Sequence, residues 1–237
     1  MNALQVGIGI LLCFALAYAT SRLDEKKQMW IITFFAILMP LLEVWKQITL
    51  TSYRGSYWWW HFPFQLCSMP LYLLPLRQIL YYTQKKKNWI ATIDDFLIDF
   101  GLLAGLFVFL DQSGMHYRLE ALTIHSYFWH FSMIYIGFAL LLSKRHSTKS
   151  FKPCMKLFLF LACIAEAINA LCHDLGSINM FYISFWYPST QVVFKDIETV
   201  LGIVPTALLY LATLLLGGYL FHRMAASITK ALVRRSS

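Results

Sequence analysis

Apolar residues in this chain come in long runs rather than at the spacing of an amphipathic helix. They make up 59% of the sequence, and only 14% of the residues are charged, whereas soluble domains have about a quarter of their residues charged. An α-helix needs about 20 apolar residues to cross the hydrocarbon core of a bilayer. The runs therefore predict an all-α fold, a polytopic bundle of membrane helices.

Seven such runs are separated by polar or charged stretches, which predicts seven transmembrane helices. The longest connection between them, 174–198, is rich in aromatic residues. No stretch is left for a soluble domain, so we expect a single integral membrane domain over residues 1–237. The predicted spans are 3–20, 29–48, 61–82, 94–111, 121–143, 155–173 and 199–222.

The Lys and Arg residues favour one orientation of this bundle. Most of the 20 basic residues lie in the connections on one side, and four lie on the other: Lys46, Arg54, Arg118 and Lys195. The positive-inside rule then predicts an external N-terminus and a cytoplasmic C-terminus, as in a multi-pass protein of the plasma membrane. Anionic lipid headgroups account for the net charge of +8, so no nucleic-acid partner is expected.

Four ionisable side chains are predicted to lie well below the membrane surface, in the outer half of the bilayer. A rise of ~1.5 Å per helical residue places Cys67 roughly 9 Å and His130 roughly 13 Å below the surface. Glu43 and Glu166 lie at comparable depths on two further helices. Because ionisable groups at this depth usually face each other or a polar cavity, we expect these four to surround one cavity.

Helical phase adds further residues to this cluster. Glu166, Asn169 and His173 share one face of their helix, and Glu43 and Lys46 are spaced to form an ion pair. His125 and His130 lie about 140° apart around their helix, so we expect only one of them to join. Near the opposite surface, Asp94 and Asp95 are interpreted as the N-terminal cap of a helix, and no partner is identified for the deeper Asp99.

Short motifs along most of the chain resemble one family of membrane proteins. They are Glu43-Val44-Trp45-Lys46, Pro63-Phe64-Gln65-Leu66-Cys67, Ser126-Tyr127-Phe128-Trp129-His130 and Ile178-Asn179-Met180-Phe181. Their order is similar to that in the YwaF family of bacterial seven-helix proteins and its eukaryotic relative, transmembrane protein 164. The resemblance implies acyl transfer on phospholipids through a Cys and a His, roles that fall here on Cys67 and His130.

This chemistry is consistent with the residues themselves. A thiol becomes a nucleophile when a neighbouring His takes its proton, and a thioester on Cys67 would carry the acyl chain. We expect Glu43 or Glu166 to orient the imidazole, and Asn169 or Asn179 to donate to the oxyanion. Membrane phospholipids or lipid acyl chains are the expected partners. Neither a metal nor another cofactor is expected, and the oligomeric state is left open.

Two other classes of function fit the same residues. A transporter or channel would line a polar path with Glu43, Glu166, Asn169 and His173. A metal or haem protein would use Cys67, His130 and His173, although the local spacing typical of such sites is missing. Without a role in catalysis or ligand binding, Cys67 would be a buried packing residue. His130 would then be a donor of a hydrogen bond between helices.

Overall fold

The computed structural model describes residues 1–147 and 150–234, and the regular structure within these ranges is helical. Eight α-helices follow one another in this part of the chain. They are α1 (Ala3–Ser21), α2 (Glu25–Arg54), α3 (Pro70–Tyr82), α4 (Lys87–Phe107), α5 (Glu120–Leu142), α6 (Lys152–Cys172), α7 (Phe194–Leu201) and α8 (Ile203–Arg234).

Helix α4 forms the centre of the bundle. It contacts α3, α5, α6 and α8, and α5 in turn contacts α1 and α2. Twelve of its 21 residues are buried, including Phe100, whose ring stacks on Phe158 of α6 with centroids 4.4 Å apart. The helices around α4 therefore shield it on most sides.

The outer helices present large apolar side chains to their surroundings. Helix α1 is apolar on every face, yet the protein does not cover it: Leu4 and Leu11 are 73% and 70% exposed. Four helical segments are long and apolar enough to cross a membrane: α1, α2, residues Lys152–Leu175 and α8. The chain is therefore a multi-span membrane protein, and these exposed apolar faces suit a lipid environment.

Helices α3, α4 and α5 depart from that simple pattern. Helix α3 has only 13 residues. Helices α4 and α5 bury polar side chains, among them Asp99 and His130, which lower their hydropathy. These polar groups are tolerated because their side chains face the interior of the bundle.

The structure corrects the predicted start of the third span. Residues 61–69 are not an α-helix, since two 3₁₀ turns, Trp59–His61 and Leu66–Ser68, precede α3. Pro63 and Pro70 each lack an N–H to donate, and Pro70 occupies the first position of α3, where none is required. Cys67 therefore lies on an irregular segment, and its depth does not follow from the rise of an α-helix.

Helix boundaries explain two further corrections. Lys86 has a positive φ of 49° and α4 begins directly after it, so Asp94 and Asp95 lie inside the helix and do not cap it. At the other end of the chain, Gly202 has φ 79°, a left-handed value that favours glycine. It separates α7 from α8 inside the predicted span 199–222.

Candidate functional site

Cys67 is held in place from two directions. The indole Nε1 of Trp129, on α5, donates a hydrogen bond of 2.9 Å to the Cys67 carbonyl oxygen. The Gln65 side-chain amide donates one of 2.9 Å to the carbonyl oxygen of Asn179. The 3₁₀ turn that contains the thiol is thus attached both to α5 and to the connection between α6 and α7.

His130 has one ring nitrogen bound and one free. Its Nδ1 lies 2.7 Å from the carbonyl oxygen of Ser126, one turn earlier in α5. Because a carbonyl only accepts, Nδ1 carries the hydrogen and Nε2 keeps its lone pair. That Nε2 is buried and has no hydrogen-bond partner in the described part of the chain, so the imidazole is arranged as a base.

Cys67 and His130 line the same cavity, which has a volume of about 160 Å³. Glu43 and Lys46 of α2 also line it, so four of the predicted site residues come together. We call this space the Cys67 cavity. Its full lining is Glu43, Lys46, Trp60, His61, Phe62, Pro63, Gln65, Cys67, Ser68, Gly114, Tyr117, His125, Ser126, Trp129, His130 and Tyr182.

A larger cleft of about 1100 Å³ adjoins the Cys67 cavity. The two spaces share Trp60, His61, Gly114 and Tyr117 as walls. The cleft adds the aromatic run Tyr57–Trp60 and two cationic side chains, Arg54 and Arg118. The guanidinium of Arg54 lies 3.9 Å from the ring centroid of Trp58. A polar pocket and an aromatic, basic cleft thus lie side by side.

Both histidines of α5 line the Cys67 cavity, so the prediction that only one would do so is wrong. Ser126 and Trp129 lie between His125 and His130 on the helix surface, and the cavity covers this whole arc of about 140°. The ring of His125 packs between Trp45 and Trp129, 5.7 Å from each. Its Nε2, like that of His130, is buried without a partner in the described chain.

The predicted ion pair on α2 is confirmed. The Lys46 ammonium lies 2.8 Å from Oε1 of Glu43, and the Gln47 amide donates to the same oxygen at 2.6 Å. Oε1 of Glu43 is thus engaged by two side chains of its own helix. The group that orients His130 is the Ser126 carbonyl oxygen rather than Glu43 or Glu166.

The remaining predicted residues are not among those that line the Cys67 cavity. The Asn169 amide donates to Glu166 at 3.0 Å and to the Met180 carbonyl at 3.2 Å, and its oxygen accepts from the Met180 N–H at 2.6 Å. Asn179 accepts from the Ser184 N–H at 2.9 Å. These amides therefore fold the connection after α6 instead of facing an oxyanion.

His173 belongs to the same connection. Its Nδ1 lies 2.8 Å from the Ala170 carbonyl oxygen, its ring stacks on Trp186, and its backbone oxygen accepts from the Tyr187 hydroxyl at 2.6 Å. A metal or haem site built from Cys67, His130 and His173 would require His173 to leave these contacts.

A second polar group, which the sequence reasoning missed, lies beyond the other end of α5. Asp99 of α4 has two partners: His146 Nε2 at 3.1 Å and His222 Nδ1 at 2.8 Å. We call these three residues the Asp99 cluster. Nearby, the guanidinium of Arg77 is fully buried and binds both oxygens of Asp94. The signal in the sequence was His222, a polar residue inside the last apolar run.

These observations define a class, a multi-span helical membrane protein with a polar Cys and His cavity. The model of the TMEM164 family matches residues 2–221, and the chain belongs to that family. Neither a curated protein nor a solved structure matches the chain significantly.

Proposed function

We propose that this protein is a membrane acyltransferase that moves acyl chains between phospholipids through a thioester on Cys67. The observation that carries the proposal is the shared cavity of Cys67 and His130, in which Nε2 of His130 is the free ring nitrogen. Catalysis by a Cys and His pair needs a thiol and a base of this kind in one water-limited space.

The reaction proceeds in two halves. In the first, Nε2 of His130 takes the Cys67 proton, and the thiolate attacks the ester carbonyl of the donor phospholipid. The ester C–O bond breaks, the departing lysophospholipid oxygen takes the proton from His130, and a thioester remains. In the second, His130 removes the proton of the acceptor hydroxyl, whose oxygen attacks the thioester. The C–S bond breaks and the thiolate recovers the proton.

The cleft beside the cavity suits a phospholipid. The Arg54 and Arg118 guanidinium groups are matched to a phosphate, and the aromatic run Tyr57–Trp60 is typical of a membrane interface. The Asn169 and Asn179 amides have other partners. The Lys46 ammonium lines the cavity itself, and because it has three N–H donors it can stabilise the oxyanion while bound to Glu43.

We propose that the membrane topology follows the charge distribution. The protein would cross the plasma membrane seven times in one domain, with its N-terminus outside and its C-terminus in the cytoplasm. A reporter fused after Ser237 should be cytoplasmic and one inserted at 112–119 external. An external C-terminal reporter would rule this topology out. Lys149 and Arg235, which contribute to the charge bias, lie outside the described residues.

Intact-mass spectrometry tests the proposed chemistry directly. Protein reconstituted with a diacyl phospholipid should gain the mass of one acyl chain, and peptide mapping should place it on Cys67. The Cys67→Ala and Cys67→Ser variants should show no adduct and no transfer to an added lysophospholipid. Cys172→Ser is the matched control, because this half-buried thiol is not among the residues that line the cavity, and it should retain both.

Three results would contradict the proposal. Full transfer activity in Cys67→Ala would remove the nucleophile. Full activity in Cys67→Ser, with none in Cys67→Ala, would show that residue 67 acts by hydrogen bonding and not as a nucleophile. Solute flux through reconstituted vesicles, lost on Glu43→Gln and independent of Cys67, would favour the transporter interpretation.

A further inference from the structure

The Asp99 cluster combines three elements that are far apart in the sequence. Asp99 lies in the middle of α4, His146 follows α5, and His222 lies on α8. One ligand atom from each residue falls within 4.8 Å of the others, and all three residues are buried. We propose that these residues bind one divalent transition-metal ion, and that zinc is the ion that fits them best.

The spacing of the ligand atoms agrees with metal coordination. Ligands bound tetrahedrally to zinc at about 2.0 Å are separated by about 3.3 Å. The two imidazole nitrogens lie 3.1 Å and 2.8 Å from the carboxylate oxygens of Asp99. Small movements would therefore convert two hydrogen bonds into three metal–ligand bonds.

The donor atoms select the type of ion. Two imidazole nitrogens and one carboxylate oxygen form a borderline set, which zinc uses and which Ca²⁺ and Mg²⁺ do not favour. The Cys154 thiol lies against the Asp99 carboxylate, and Asp95 has an oxygen 3.8 Å from Nε2 of His146. Either could supply a fourth ligand, and a thiolate would strengthen the preference for zinc.

Charge also favours a cation at this place. Asp95 and Asp99 are both buried, and their ion-pair partners in the described chain are histidines. The nearby guanidinium of Arg77 is already bound to both oxygens of Asp94. Two carboxyl groups and two imidazoles thus share one buried region of low dielectric, and a bound divalent ion would offset the charge of the carboxylates.

The position of the Asp99 cluster assigns the ion a structural role. His130 and Leu142, the end of α5, are separated by roughly 18 Å along the helix, and His146 lies beyond that end. The metal is thus remote from Cys67 and takes no part in the proposed acyl transfer. It would join α4, α8 and the segment after α5, so its binding should stabilise the fold.

Metal analysis of the full chain tests the site. Protein purified in detergent with a tag that contains no histidine, and without chelators, should hold about one zinc ion per chain. After removal of the ion with a chelator, added zinc should raise the unfolding temperature, and magnesium should not. Asp99→Asn and His222→Gln should each reduce the zinc content at least about tenfold.

Two controls separate the site from other histidines. His116→Gln removes an exposed histidine outside the cluster, and Cys67→Ala removes the proposed nucleophile; both should keep the zinc. The inference is overturned if the wild type holds no transition metal and zinc does not shift its unfolding temperature. It is also overturned if Asp99→Asn retains the full zinc content. The wild-type measurements decide the matter even where a variant fails to fold.

Discussion

The Cys67 cavity and the Asp99 cluster differ in how many of their buried polar atoms have hydrogen-bond partners. Around the cavity, Nε2 of His61, His125 and His130 is buried without a partner in the described chain. In the cluster, both carboxylate oxygens of Asp99 accept from histidines. Nδ1 of His146 is the one ring nitrogen of the cluster that is buried without a partner in the described chain. A buried group without a partner costs about 1–3 kcal/mol, so more of this cost falls on the cavity than on the cluster.

The difference teaches which site is built for a ligand that comes and goes. A space of about 160 Å³ holds about five waters, enough for the free nitrogens to meet solvent or substrate. Each histidine of the Asp99 cluster instead lies within hydrogen-bond distance of Asp99, and the cluster connects three elements. Chemistry is therefore expected at the Cys67 cavity, and stability at the Asp99 cluster.

The largest effect expected is on activity at the Cys67 cavity. His130→Ala removes the proposed base and should lower acyl transfer by about 10²–10⁴-fold, with an unchanged unfolding temperature. Combining it with Cys67→Ala should add little, because the two residues act as a unit. Rates in nanodiscs measure this. His125→Ala is the matched control, and a greater loss there than in His130→Ala would assign the base to His125.

The next effect should fall on stability, beside the Asp99 cluster. Asp94→Ala leaves the buried guanidinium of Arg77 without its carboxylate and should reduce the free energy of unfolding by about 3–5 kcal/mol. Glu25→Ala, which breaks the more exposed pair with Arg145, should cost at most about 1 kcal/mol. Unfolding in mixed micelles measures both. Equal losses would mean that the buried pair stabilises no more than an exposed one.

A smaller loss is expected from the packing that places His222. A Cβ added at Gly218, one turn before His222, would lie 2.5 Å from the Phe100 ring. Gly218→Ala should therefore cost about 1–3 kcal/mol. Gly101→Ala, where the added Cβ meets nothing within 4 Å, should be neutral or stabilise by up to about 1 kcal/mol. The same unfolding assay distinguishes them, and a neutral Gly218→Ala would show that α8 moves freely against α4.

The helices were more predictable than the segments between them. Runs of apolar residues located α1 within a residue of its observed end, since lipid exposure requires such runs. Residues 61–69 were misassigned because their apolar character matches that of a helix, and only Pro63 and Pro70 indicate the turns. The break at Gly202 was missed for a similar reason, since a single glycine inside an apolar run is a weak signal.

The candidate site was predictable where its contacts are local. The pair of Glu43 and Lys46 followed from spacing along one helix. The partners of Asp99 did not, because His146 and His222 lie 47 and 123 residues away. Only the packing of α4 against both α5 and α8 brings them together. The role of Asn169 was missed because its partner is the backbone of Met180, which carries no sequence signal.

The smallest effect concerns the link that positions the thiol. Trp129→Phe keeps an aromatic ring in the wall of the Cys67 cavity but removes the Nε1–H that binds the Cys67 carbonyl oxygen. The loss of one such bond should cost about 0.5–1.5 kcal/mol of stability. Acyl transfer should fall about tenfold, since small displacements of a reacting group lower rates strongly. The loss should appear in the turnover number, with lipid affinity unchanged, because the indole N–H contacts the backbone and not the substrate.

Trp45→Phe is the control. The ring of Trp45 packs on His125, and this variant should leave transfer nearly intact. Equal rates in the two variants would show that the bond to Trp129 does not place the Cys67 sulfur.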